Sequence, residues 1–145
     1  MDSLQNKFHE LSFYTLSHKG NEFIHQHIVD AYAVQTADER TKSIALVFGL
    51  AGLYLLIEKN FTGVEVQQMH VLMSQNKKPW PQIKLPSERG AISIENVLAT
   101  DPGIERDDMI YRWCESVWVA FVENREAIVQ WMSEYLEMWK TRRPK

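Results

Sequence analysis

His25, His27, Asp30, Tyr32 and Gln35 fall within one short run, Phe23-Ile24-His25-Gln26-His27-Ile28-Val29-Asp30-Ala31-Tyr32-Ala33-Val34-Gln35, whose other residues are mostly apolar. The run reads as a helix that is apolar on most of its circumference, and such a helix is normally central and buried. Polar groups carried into a core need partners or they cost stability. The segment is therefore either a satisfied polar network or the wall of a site. Two chemistries suit these residue types. In the first, Asp30, Tyr32 and Gln35 give polar contacts to a small ligand or a protein partner. Trp80, in the Pro79-Trp80-Pro81 run, and Trp118 then close an apolar wall. The second is a divalent metal. His25 and His27 lie two apart, so they leave opposite sides of a helix and cannot chelate one ion together. His27 and Asp30 share a face. A metal centre needs a ligand from a second helix, and His25, Asp30 and His70 form the candidate set, with water completing the shell of a histidine-ligated hydrolase or transferase. No His-Glu-x-x-His run accompanies them. A histidine satisfied within the core is the simpler reading.

Other catalytic patterns are weaker. Cys114 lies between Trp113 and Trp118 on an apolar stripe, where a thiol is buried and inert. Ser116 and Ser133 sit inside helical patterns rather than at a sharp strand-to-helix turn. There is no phosphate loop or dinucleotide fingerprint. Asp107-Asp108 opens a helix and is read as a partner of its dipole.

Composition narrows the class. The 145 residues fit one domain, spanning residues 1–145, with 45% hydrophobic and 24% charged residues. A net charge of −3 and a pI near 5.9 oppose nucleic-acid binding. The basic tail, residues 140–145, is read as charge complementing a helix C-terminus. Cys114 is the lone cysteine, so no internal disulfide forms and a reducing compartment fits. The first residues lack the basic-then-apolar pattern of an export signal. The longest uncharged stretch, Ser43 to Ile57, is too short to span a bilayer and carries Gly49 and Gly52. These readings predict a cytoplasmic protein with no membrane segment.

The elements that must hold these residues are helices. Apolar periodicity predicts one from Leu4 to Ser17 with Ser3 as N-cap, ended by His18-Lys19-Gly20-Asn21. The polar-studded run follows. A third helix is predicted from a Thr36–Glu39 capping box to a stop at Asn60, with Gly49 and Gly52 marking close approach of a neighbouring backbone. A fourth opens on a Thr62–Glu65 capping box and ends near Gln75. Residues 76–93 hold Pro79, Pro81, Pro86 and Gly90 and no steady period, which makes a long loop, functional or mobile. Gln82–Leu85 or Ala91–Ile94 can pair briefly as strands, and residues 93–100 can form a turn or two of helix. The last helix starts at Asp101-Pro102, runs through the tryptophans, and bends or breaks near residues 123–126. The fold class is all-α, a bundle of about five helices with a long proline-containing loop before the last helices. Trp113, Trp118, Trp131 and Trp139 share that final segment. Rings at this density build a core or a sticky face, and a homodimer is expected on that ground.

Four runs also resemble a known family: His25-x-x-x-Val29-Asp30-Ala31-Tyr32-x-x-Gln35, Gly52 to Glu58, Pro79-Trp80-Pro81 and Trp113-Cys114-Glu115-Ser116-Val117-Trp118. They are similar to a family of small bacterial all-helical proteins of unknown function, over about residues 14–131. The resemblance implies the all-α fold and no stated activity. Relatives carry a cysteine pair near the N-terminus that this chain lacks. They also carry a histidine where Gly49 stands and a His-His pair where Asn124-Arg125 stands. If those groups hold metal in relatives, this chain has lost part of the site.

Overall fold

The computed structural model describes residues 3–17 and 22–142. The expected break at residues 18–21 and the end of the basic tail, 143–145, lie outside the described residues. The elements are α1 Leu4–Ser17, α2 His25–Gln35, α3 Ser43–Lys59, α4 Gly63–Gln75, α5 Ile94–Leu98, α6 Ile104–Ala120, a 3-10 turn Val122–Asn124, and α7 Arg125–Arg142. The all-α expectation holds, but among the described residues the count is seven helices rather than about five. The extra ones are the short α5 and the piece made by breaking the last segment at Phe121–Asn124. No strand forms among the described residues, so neither brief pairing occurs.

Local signals placed several boundaries correctly. The Ser3 hydroxyl accepts from the Asn6 N–H at 3.1 Å. Thr62 and Glu65 cap each other reciprocally at the start of α4. Asn60 ends α3 in the left-handed conformation. Two starts differ from expectation. Thr36 does not cap α3, because its hydroxyl donates back to Tyr32 O at 2.7 Å and closes α2 instead. Residues 37–42 then turn on themselves through Asp38 and Thr41, and α3 begins at Ser43. The last segment begins at Ile104 rather than at Pro102, with Gly103 at φ 109° as its cap. There the Gly103 N–H donates to the Tyr14 hydroxyl at 2.9 Å, which ties α6 to α1.

Helices α2, α3 and α6 pack against one another in the centre. α4 and α7 cover α3, while α1 and α5 close the end formed by α2 and α6. α3 is the most enclosed: from Leu46 to Leu56 only Phe48 keeps appreciable exposure. Trp113, Trp118 and Trp139 are buried in this core and Trp131 is half-buried. Three of the four tryptophans of α6 and α7 thus serve the chain's own interior, while Tyr111 of α6 stays exposed. Among the described residues no helix is long and apolar enough to cross a membrane.

The long loop is anchored along its length. The Tyr135 hydroxyl donates to Asn76 O, and Trp131 Nε1 donates to Pro79 O. Buried Asn124 bonds both the N–H and the C=O of Lys84, at 2.8 Å each. Arg89 donates to Pro86 O, Gln35 O and Ala37 O, so it also satisfies carbonyls at and just beyond the end of α2. The helix break at residues 122–124 is what brings the Asn124 amide to the loop.

Candidate functional site

Asp30 sits at the centre of the α2–α3–α6 packing. Its Oδ1 accepts from Gln26 Nε2 at 3.1 Å, while Oδ2 is buried and has no hydrogen-bond partner. The carboxyl fits only because α3 carries Gly52 opposite, where a Cβ would overlap Oδ2. Gly49 serves the same approach: a Cβ there would stand 2.7 Å from Val34 Cγ2. Burial pushes the Asp30 carboxyl well above the ordinary carboxylate range, and the Gln26 bond opposes this. Cys114, across from it on α6, donates from Sγ to His27 O at 3.6 Å. Burial, then the nearby Asp30, push its thiol far up, so it remains protonated and unreactive.

His27 presents a different environment. Its ring is 6% exposed and Nδ1 is buried without a partner. Burial lowers its pKa to about 4, so the imidazole is neutral near pH 7. The ring lines a cavity of about 300 Å³ between the start of α2, the end of α3 and the start of α6. Ile24, Leu56, Phe61 and Ile110 supply apolar walls, and the charged lining residues are Glu22 and Asp107. Asp107 Oδ1 accepts from the Tyr14 hydroxyl at 2.6 Å. Among the described residues no lysine or arginine lines this cavity.

The residues expected to form one metal site are spread through the fold. His25 Nδ1 lies 2.9 Å from Thr15 Oγ1 on α1. His70 Nε2 is 2.9 Å from Phe48 O, and its ring lies against the Phe48 ring. Asp30 faces Gly52. The expected triad of His25, Asp30 and His70 is not brought together, and among the described residues no three His, Cys, Asp or Glu side chains are grouped to hold an ion. The positions where the resemblance puts histidines, Gly49 and Asn124-Arg125, are used here for close packing, for the loop, and for an ion pair with Glu58.

The expected ligand-contact residues likewise occupy separate neighbourhoods. The Tyr32 ring stacks on Phe8 at 4.3 Å. Gln35 is fully engaged: Nε2 donates to Arg89 O and Ile92 O, and Oε1 accepts from Trp113 Nε1 at 2.9 Å. Trp118 Nε1 donates to Glu58 Oε2 at 2.8 Å, and Glu58 is also held by Arg125 at 2.7 and 2.6 Å. Trp80 lies on the far side, between Phe48 and Trp131. The pocket expected between α2, Trp80 and the Trp113–Trp118 region is thus not assembled from these residues: Gln35 and Trp118 bond to the chain itself, and Tyr32 and Trp80 pack against different rings. Gln35→Leu is expected to cost about 2 kcal/mol in urea unfolding, because it strands an indole N–H and two carbonyls. An unchanged midpoint would mean that this amide does not hold the loop to α2 and α6.

Sequence reasoning missed the His27 cavity. The only signal was negative: His27 lies opposite His25 on the helix, so the two must face different surroundings.

Residues 5–122 match the sequence profile of DUF5946, a family of unknown function. The match starts earlier than the resemblance drawn from the runs above and stops before α7. No curated protein and no solved structure matches the chain.

Proposed function

The chain belongs to that family of unknown function, which brings no activity with it, and we propose from the geometry that it is a small-ligand-binding helical domain whose site is the His27 cavity. One observation carries this reading: a neutral imidazole, buried and with Nδ1 unpartnered, forms part of the wall of a 300 Å³ space. Buried polar groups are normally satisfied, and an imidazole nitrogen shielded beside a cavity without a partner can gain one from a ligand that settles there and lets the ring turn toward it. The lining decides the ligand's chemistry. Its charged groups are acidic, so the fitting molecule is cationic, and the apolar walls favour a compact hydrocarbon body. A small arylalkyl amine meets both demands. The cavity is at the small end for ligand sites, which limits the molecule to about one or two rings.

Benzylamine, benzyl alcohol and benzoate are suitable probes, followed through the His27 ring resonances by NMR near pH 7. Benzylamine is expected to shift those resonances saturably in the wild type and, by calorimetry, to bind His27→Leu about tenfold more weakly. If benzoate shifts them as strongly as the amine, or if nothing does, the reading fails.

A further inference from the structure

A second pocket, of about 260 Å³, opens beside the first half of α3, away from the His27 cavity at its end. Its walls are rings. Trp80 lies 5.8 Å from Trp131, Trp131 lies 5.1 Å from Tyr135, and Phe48 meets Trp80 edge-on at 6.1 Å. Trp80 is 43% exposed although it is flanked by prolines and wedged between two rings, so a large apolar surface is held open to solvent in a fixed place. Packing of the loop does not require that exposure, because the loop is tied down by Trp131, Tyr135 and Asn124 through backbone atoms.

A box of aromatic rings ordinarily suggests a quaternary ammonium ligand. Here the ring faces already carry a cation. Lys78 Nζ lies 4.5 Å from the Tyr135 centroid and 5.2 Å from that of Trp131. It donates to Trp131 O at 2.6 Å and to Glu134 at 3.0 Å, which fixes it there. A second cation would meet like charge. Lys77, at the same pocket, is exposed and makes no ion pair or hydrogen bond among the described residues. Among the described residues no carboxylate lines the pocket itself, and Glu134 stands beside it on Lys78. Its electrostatics therefore differ from those of the His27 cavity: Lys78 is matched by Glu134 and Lys77 is unmatched, where the described lining of the other holds two acids and no base.

We propose that the pocket walled by Phe48, Trp80, Trp131 and Tyr135 binds a small planar aryl carboxylate, with its ring stacked on Trp80 and its charge met by Lys77. Offset stacking on tryptophan suits a flat ligand, and the volume admits one or two fused rings. Lys78 holds the walls in place and keeps cations out. This site is independent of the His27 cavity, so either reading can fail alone.

Isothermal titration calorimetry of the full chain with 1-naphthoate, 1-naphthamide and 1-naphthylmethylammonium tests it. The carboxylate is expected to bind about tenfold more tightly than the amide, and in His27→Leu, which removes the amine-binding cavity wall, the ammonium compound is expected to give no heat. Lys77→Met, which keeps the aliphatic stem, should erase the advantage of carboxylate over amide. Trp80→Ala should weaken both, and His27→Leu should leave naphthoate binding unchanged. Binding with equal strength for all three compounds in His27→Leu, loss of naphthoate binding in that variant, no effect of Lys77→Met, or no binding at all would each overturn the proposal.

Discussion

Gly52→Ala is expected to destabilise the protein by about 3 kcal/mol, a loss of about 10 °C in Tm for a chain of this size. The added methyl group would occupy the space of Asp30 Oδ2 and crowd Cγ as well. Asp30 can yield only by giving up its bond to Gln26 and moving within the packing of α2, α3 and α6. Overfilling a close-packed interior forces side chains off their rotamers or helices apart. The three nearest atoms to the new methyl all belong to Asp30, so the cost is specific to that pair. In an Asp30→Ala background the same change should be harmless, and the advantage of alanine over glycine inside a helix, about 1 kcal/mol, should appear instead. A double-mutant cycle by urea unfolding reads this coupling directly. Equal costs in both backgrounds would show that the carboxyl does not fill the gap beside Gly52.

The second large effect is on acid stability. His27 titrates at about 4 in the fold, against 6.5 for a free imidazole, because burial disfavours the cation. A depressed histidine contributes stability that is complete above the unfolded value and is lost as pH falls from 6.5 toward 4. The loss amounts to about 3 kcal/mol over that window. His70 and His25, both lowered by burial, add to it in the same direction. Asp30 works against them. Its folded pKa is raised, so its contribution is complete below the ordinary carboxyl range and is lost as pH rises through the folded value. The two slopes overlap in mildly acid solution, and the wild-type profile is flatter there than either group alone would make it. Single variants separate them. His27→Leu should remove most of the acid loss. Asp30→Asn, which can keep the bond from Gln26, should raise stability at neutral and alkaline pH. Urea midpoints taken from about pH 4 to about pH 8 decide the matter. An acid arm unchanged in His27→Leu would mean that the imidazole is not held neutral by its cavity.

Much of the helical skeleton was legible because its determinants are local. Ser3, the Thr62–Glu65 pair and Asn60 each satisfy backbone groups within a few residues of themselves, so composition and spacing reveal them. The uncharged run from Ser43 to Ile57 announces the most enclosed helix by the same logic, since a helix with no polar face has nowhere to go but the interior. Where two local rules competed, the sequence misled. Thr36 has the right spacing to open a helix, yet its hydroxyl closes the previous one, and only the chain's path chooses between them.

Residue types alone established that polar groups would be carried into the core and that Gly49 and Gly52 would admit a close neighbour. Which neighbour, and which polar groups stay unsatisfied, depended on partners far away in the chain. Gln35 meets Trp113, Asn124 meets Lys84, and Trp118 meets Glu58, across separations of 78, 40 and 60 residues. Periodicity carries no information about such pairings, because it reports which side of a helix is apolar and not what that side faces. The tertiary structure therefore turned Gln35 and Trp118 from expected ligand contacts into internal ties. It dispersed His25, Asp30 and His70, and it left His27 and Trp80 lining separate cavities.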